Sequence, residues 1–202
     1  MTSWPDLLAE VDLSAAGMPP EGTSLLVKYL TLLSKWTSVT NLVASSTSPR
    51  DLVRYHLADS LALLPHIGEA ERLVDVGSGG GLPGVVLAIA RPSLSVTALE
   101  PVHKKQAFLA TVRRELALDN FLPLAERDDH HLLRPDFHPY DLAVSRAAFA
   151  VGDWLTRARD LIGPGGRILA MEGRERHPLP PGAHRHPYLL DDRHRAIIEW
   201  SR

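Results

Sequence analysis

A chain of 202 residues, 45% hydrophobic and 23% charged, is long enough to bury a core and has the balance of a soluble globular domain. It has no cysteine, which excludes disulfide frameworks, thiolate metal sites and cysteine nucleophiles. Its net charge of −2 excludes a broadly basic surface but leaves room for a local basic patch. The first residues carry neither the basic region nor the apolar run of a signal segment, and no stretch approaches the ~18 apolar residues of a membrane span, so a cytoplasmic location is expected.

A short helix is expected over Leu7 to Leu13, ended by Gly17-Met18-Pro19-Pro20. From Ser24 to Trp36 the residues Leu25, Leu26, Tyr29, Leu30, Leu32, Leu33 and Trp36 recur at helical spacing. Pro49 and Asp51 open a second helix, with Leu52, Val53, His56, Leu57, Ser60, Leu61 and Leu64 on one face and Pro65 and Gly68 closing it. These helices form an N-terminal extension over residues 1–68, before a main domain over 69–202 that forms one compact unit.

The main domain opens with a buried strand from Arg72, then the run Asp75-Val76-Gly77-Ser78-Gly79-Gly80-Gly81-Leu82-Pro83-Gly84, then an amphipathic helix over Val85 to Ala90. Glycines at 77, 79 and 81 let the backbone turn sharply and let a ligand approach the main chain. Pro83 suits a first helical turn. Strands are expected at Leu94 to Leu99, Phe121 to Leu124, Tyr140 to Ser145, Arg167 to Met171 and Ala196 to Trp200. Helices are expected at His103 to Ala117 and Trp154 to Ile162, the latter stopped by Gly163-Pro164-Gly165-Gly166, with a Pro- and His-rich loop over Pro178 to Pro187. Such alternation predicts an α/β fold: a mostly parallel, doubly wound sheet with helices on both faces and ligands at the carboxyl ends of its strands.

A strand–glycine loop–helix unit presents a helix N-terminus to a nucleotide-like ligand. Gly79, Gly81 and Gly84 satisfy the dinucleotide pattern G-x-G-x-x-G, which also arises by chance. The longer run from Asp75 resembles the first motif of class I S-adenosylmethionine (SAM) methyltransferases, where an acid at the strand end suits a cationic amino group and suits pyrophosphate badly. Glu100, ending the second strand, can accept hydrogen bonds from both hydroxyls of a ribose, a device NAD enzymes share. Asp128, after the third strand, offers an acceptor for an adenine amine. Arg146, after the fourth strand, can hold a phosphate, a base edge or the SAM carboxylate, and Lys104 and Lys105 can flank the same mouth. His130 and His131 adjoin acids, but neighbouring histidines point in different directions and no metal site is expected. There is no nucleophile elbow and no Walker lysine.

Together, Lys35-Trp36 with Asn41-Leu42, His56-Leu57-Ala58-Asp59-Ser60, the loop from Asp75 to Gly84, Lys104-Lys105-x-x-Phe108-Leu109 and Val144-Ser145-Arg146-Ala147 resemble the RsmG (GidB) methyltransferases, over about Leu25 to Ile198. The resemblance implies a Rossmann-like class I fold, SAM as cofactor and methyl transfer to N7 of a guanine in 16S ribosomal RNA, presented as RNA or as a small ribosomal subunit particle to a monomeric enzyme. It places SAM contacts at Gly77, Leu82, Asp128, Asp129 and Arg146, beside those expected of Asp75, Gly79, Gly81 and Glu100. Substrate contacts are expected at Arg127, Arg146, Lys104, Lys105 and His56, with positioning by Arg146 and Arg127 and no catalytic base.

The chain departs from the family pattern at three positions. Tyr55 stands where a Lys or Arg usually precedes the histidine, Thr37 where an asparagine follows the tryptophan, and Glu172 where a lysine precedes the late glycine. A carboxylate at 172 would repel an RNA phosphate. The alternatives are a methyltransferase of the same fold with another acceptor, an NAD-dependent oxidoreductase, and a module that binds SAM without transfer.

Overall fold

The computed structural model describes residues 3–173 and 176–202. Seven strands, β1 (Arg72–Val76), β2 (Ser95–Leu99), β3 (Phe121–Leu124), β4 (Tyr140–Arg146), β5 (Ile162–Glu172), β6 (Ala183–Leu190) and β7 (Arg193–Ser201), form one sheet in the order β3-β2-β1-β4-β5-β7-β6. The first five run parallel, and β7 enters antiparallel between β5 and β6. A nicotinamide-type sheet continues in parallel, 3-2-1-4-5-6, so the antiparallel β7 separates this topology from the dinucleotide alternative. The order reverses between β1 and β4, the place where an open α/β sheet leaves a crevice.

Adjacent residues along each strand point to opposite faces. Leu73, Leu169 and Ile197 face one apolar core, and Val74, Ile168 and Ile198 the other. The first core holds α2 (Gly22–Thr37), α6 (Gly84–Ala90) and α7 (His103–Leu116), together with the π-helical turn Leu52–Leu57 and α4 (Ala58–Leu61), which follow the short α3 (Pro49–Asp51). The second holds α9 (Val151–Arg157), whose Trp154 is fully buried and donates Nε1–H to the Leu169 carbonyl at 2.8 Å.

Several sequence-based expectations change on physical grounds. The first helix is α1 (Trp4–Leu8), earlier than expected, because Ser3 and Asp6 form a reciprocal capping box with Pro5 in the first turn. The helix over Val85 to Ala90 is buried on every side rather than amphipathic, since the N-terminal helices cover the face that would otherwise meet water. Pro65 does not close the preceding helix; it lies in α5 (Leu64–Ile67), which ends at Gly68 with φ of 59°. The glycine run at 163–166 lies within β5, where the β4 register jumps from Tyr140↔Ile162 to Leu142↔Arg167. The segment expected as a loop contributes β6, and Pro187 is tolerated there because β6 is an edge strand. A four-residue helix, α8 (Asp128–His131), follows β3.

Tyr29 in α2 is fully buried and its hydroxyl donates to the Gly80 carbonyl at 2.6 Å, tying the N-terminal helices to the glycine loop. Tyr29→Phe leaves that carbonyl without its partner. The expected result is a loss of about 1–3 kcal/mol of unfolding free energy in urea titrations with an unchanged m-value.

Candidate active site

The loop from Asp75 to Gly84 is held from beneath. The Asp75 carboxylate is 1% exposed, and its Oδ2 accepts from Ser78 Oγ at 2.6 Å and from the Gly84 amide at 3.0 Å. Burial pushes its pKa up to about 6, against those two hydrogen bonds and the Arg146 charge. Only glycine fits at 84, because a Cβ there would lie 2.6 Å from Asp75 Oδ2. From the other side Glu100 Oε2 accepts from the Gly79 amide and Oε1 from the Val102 amide, both at 2.9 Å. Gly77 has φ of 75°, and a Cβ on it would sit 2.7 Å from Ala148 Cβ, so its bare backbone faces the chain leaving β4.

Between these walls, at the ends of β1, β2 and β4, opens a cleft of about 390 Å³. Val76, Leu99, Pro101, Ala147 and Phe149 supply apolar surface, Gly77 and Gly79 supply backbone, and Glu100 and Asp128 supply carboxylates. Lys105, Arg127, Arg146 and Arg157 bring positive charge to its margin. The volume lies in the ~300–1,000 Å³ range of small-molecule sites.

The expected site residues do not all meet there. Gly77, Gly79, Glu100, Lys105, Arg127, Asp128 and Arg146 line the cleft. Asp75 lies below the loop, and Gly81 packs against Val85 and Leu109. Leu82 is buried and reaches the site through its carbonyl, which accepts from Arg146 Nε at 3.2 Å. Asp129 is exposed and pairs with Arg127 at 3.3 Å. Lys104 is exposed on α7 and is not part of the cleft lining. His131 is buried between Glu126 and the Tyr140 hydroxyl, at 3.0 and 2.8 Å, a packing role.

Arg157 and Phe149 line the cleft without belonging to any motif in the sequence. Arg157 grips Asp128 with two hydrogen bonds of 2.8 and 2.7 Å and lies over the Phe149 ring, so the Asp128 carboxylate is already engaged. No local pattern in the sequence links a helical arginine to an acid on another element.

Arg146 joins the cleft to the N-terminal helices. Besides Leu82, its Nη1 meets His56 Nδ1 at 3.3 Å and lies 3.8 Å from Asp59. Asp59 accepts from the Tyr188 hydroxyl of β6 at 2.6 Å and faces Arg195 of β7 at 4.0 Å. His56 therefore sits behind the arginine rather than at the mouth. The π-helical turn over Leu52–Leu57 carries it there, and such turns recur at functional sites.

The departures at 55 and 172 have structural answers. Glu172 is 3% exposed, and it accepts from Arg185 Nε at 2.8 Å, Arg176 Nη1 at 2.9 Å and the His177 amide at 3.2 Å. Burial alone would raise its pKa; the Arg185, His177 and Arg176 donors bring it below the usual value. The carboxylate is neutralised by two arginines and does not present a free negative charge to a phosphate. The Tyr55 ring carries the Arg193 guanidinium 3.4 Å from its centroid, so a cation still stands at that position, supplied from β7.

Burial first, and then the charges of Arg146, Arg195 and Arg193, lower the His56 pKa to about 4. An unfolded histidine near 6.5 binds a proton that the folded one refuses, so stability falls as pH drops from about 6.5 toward 4. His56→Gln is expected to flatten that part of the pH profile, measured as urea midpoints from pH 7 to 4.

The cleft suits an adenosylmethionine: a bare glycine backbone at Gly77, where a Cβ would collide with Ala148 of the lining, an acid at Glu100 for ribose hydroxyls, and apolar walls for a purine. The model for GidB, rRNA small subunit methyltransferase G, matches residues 23–178. The chain is 42% identical over 156 residues to ribosomal RNA small subunit methyltransferase G of Azoarcus sp. (strain BH72), covering 77% of this chain and 72% of the relative. It is 45% identical over 170 residues to the same-named protein of Burkholderia pseudomallei (strain 1106a), covering 79% and 72%. Among solved structures, an O-methyltransferase from Bacillus cereus in complex with SAH superposes with a TM-score of 0.57 at 15% identity, over 87% of this chain and 91% of that one, a likeness of fold. With a Rossmann-like sheet, a glycine loop braced over its cofactor cleft and a family match spanning most of its length, this chain belongs to the GidB (rRNA small subunit methyltransferase G) family.

Proposed function

We propose that the protein transfers a methyl group from SAM to N7 of a guanine in 16S ribosomal RNA, acting as a cytoplasmic monomer on RNA presented by a small-subunit particle. SAM, when bound, supplies an electrophilic methyl on a sulfonium. Guanine N7 carries a lone pair and no proton, so accepting that methyl would require no general base from the protein. The cleft fits that demand, since its task is to align two reactants.

In this reading the Gly77 and Gly79 backbone and the Glu100 carboxylate hold the cofactor. Asp75 acts through the loop it braces. The adenine end falls to the apolar walls and to the first-turn amides of α8 at Asp128 and Asp129, which have no partner within the helix. Arg146 is the observation that carries the assignment. It ends β4, its Nε and Nη1 are held by Leu82 and His56, and its Nη2 has no protein hydrogen bond among the described residues. That free edge suits the acceptor base, a phosphate or the cofactor carboxylate. Arg127 and Lys105 extend positive charge outward, and Glu172, closed off by Arg176 and Arg185, is no obstacle to RNA.

The N-terminal helices serve this site as a wall rather than as a separate module, through Tyr29, His56 and Asp59. With a net charge of −2, the chain relies on a structured particle for part of its recognition.

Tritium transfer from labelled SAM to small subunits lacking the modification, followed by nucleoside analysis, tests the assignment: label in 7-methylguanosine is the expected result. SAM binding with no RNA label would place the acceptor elsewhere. Glu100→Gln is expected to weaken SAM binding about tenfold or more in calorimetry. Arg146→Ala is expected to lower turnover roughly a hundredfold, and an unchanged rate with unchanged SAM affinity would remove Arg146 from the site.

A further inference from the structure

We propose that His66, His186 and Glu199 form a binding site for a divalent transition-metal ion of the zinc class, outside the methyl-transfer cleft. The three residues come from α5, β6 and β7, and one ligand atom from each lies within 4.8 Å of the others. None of them lines the cleft.

The spacing is that of a coordination sphere. Glu199 Oε2 lies 3.3 Å from His66 Nδ1 and 3.3 Å from His186 Nε2. Metal–ligand bonds of about 2.0–2.1 Å in a tetrahedron separate neighbouring ligand atoms by about 3.3 Å. Two edges of that figure are already present. The two imidazoles meet edge to face, with centroids 4.7 Å apart and planes at 61°, so their nitrogens converge on the carboxylate rather than stacking. Closing the remaining edge needs only a small movement of one ring, and His186, at 45% side-chain exposure, is free to make it.

The donor set also selects the ion. Two imidazole nitrogens and one carboxylate oxygen suit zinc, nickel or copper and do not suit magnesium or calcium, which want oxygen alone. Arg167 lies 3.3 Å from Glu199 Oε1 and donates to the Ile67 carbonyl at 2.7 Å, which orients the carboxylate and leaves Oε2 to the ion. Its charge weakens the ion's binding without blocking it. His184 stands opposite Glu199 in the β6–β7 register, on the same face, and with water is the source of a fourth ligand. A bound ion would tie α5 to the edge hairpin that carries Arg185, Arg193 and Arg195.

The test is calorimetric titration of ZnCl2 into tag-free, chelator-stripped full-length protein, with thermal melts alongside. Saturable uptake of one ion per chain at micromolar or tighter affinity, with a raised Tm, is expected. His66→Ala, His186→Ala and Glu199→Gln should each weaken binding at least tenfold, while His138→Ala, an exposed histidine elsewhere, should not. Melts of the ion-free variants show whether each is folded, and the exposed His186 keeps the test available if His66→Ala is not. Absence of one-to-one binding, or equal affinity in folded His186→Ala, overturns the site. Neither result depends on methyl transfer.

Discussion

A carboxylate buried away from water holds the functional loop in place. Asp75 lies near the end of the first strand, in the interior of the sheet, and its Oδ2 gathers the Ser78 hydroxyl and the Gly84 amide. Its Oδ1 has no hydrogen-bond partner among the described residues, and burial lifts its pKa to about 6, so the placement costs stability that the surrounding core must offset. In exchange the loop has one shape. Tyr29 grips the same loop through the Gly80 carbonyl, and Glu100 holds the Gly79 amide from the cleft side. Three side chains from three elements converge on a few glycines, which have no side chains to hold themselves.

A second convergence occurs at Arg146. The π-helical turn brings His56 to it, Asp59 lies behind, and Tyr188 and Arg195 reach Asp59 from the last two strands. The N-terminal helices and the C-terminal hairpin, far apart in sequence, thus meet at one guanidinium. The same hairpin supplies the cations that the family pattern places elsewhere: Arg185 pairs with Glu172 and Arg193 covers Tyr55. Positive charge has moved in sequence while staying nearby in space, which explains how a carboxylate at 172 is compatible with a nucleic-acid substrate.

The parallel sheet, the glycine loop, the helix from His103 and the strand-end acids were legible in the sequence because each rests on local chemistry: apolar periodicity, glycine conformational freedom, and the termination of a hydrophobic run by a charged residue. The family motifs at His56, Asp75 and Arg146 were legible for the same reason, as short contiguous strings. The β6 strand was not, because its Pro187 and histidines are tolerated only on an edge, and being an edge is a property of the whole sheet.

Side-chain partnership was equally hidden. Asp128 reads as a free acceptor until Arg157 is folded against it, and Asp75 reads as a ligand group until the loop closes over it. Glu172 reads as a repulsive charge until Arg176 and Arg185 arrive. By itself the sequence determined which backbone conformations were available, which stretches had to be buried and which family the motifs belong to. Only the tertiary structure decided which charges are spent on one another and which remain to meet a ligand, because ion pairing and desolvation depend on distance through space.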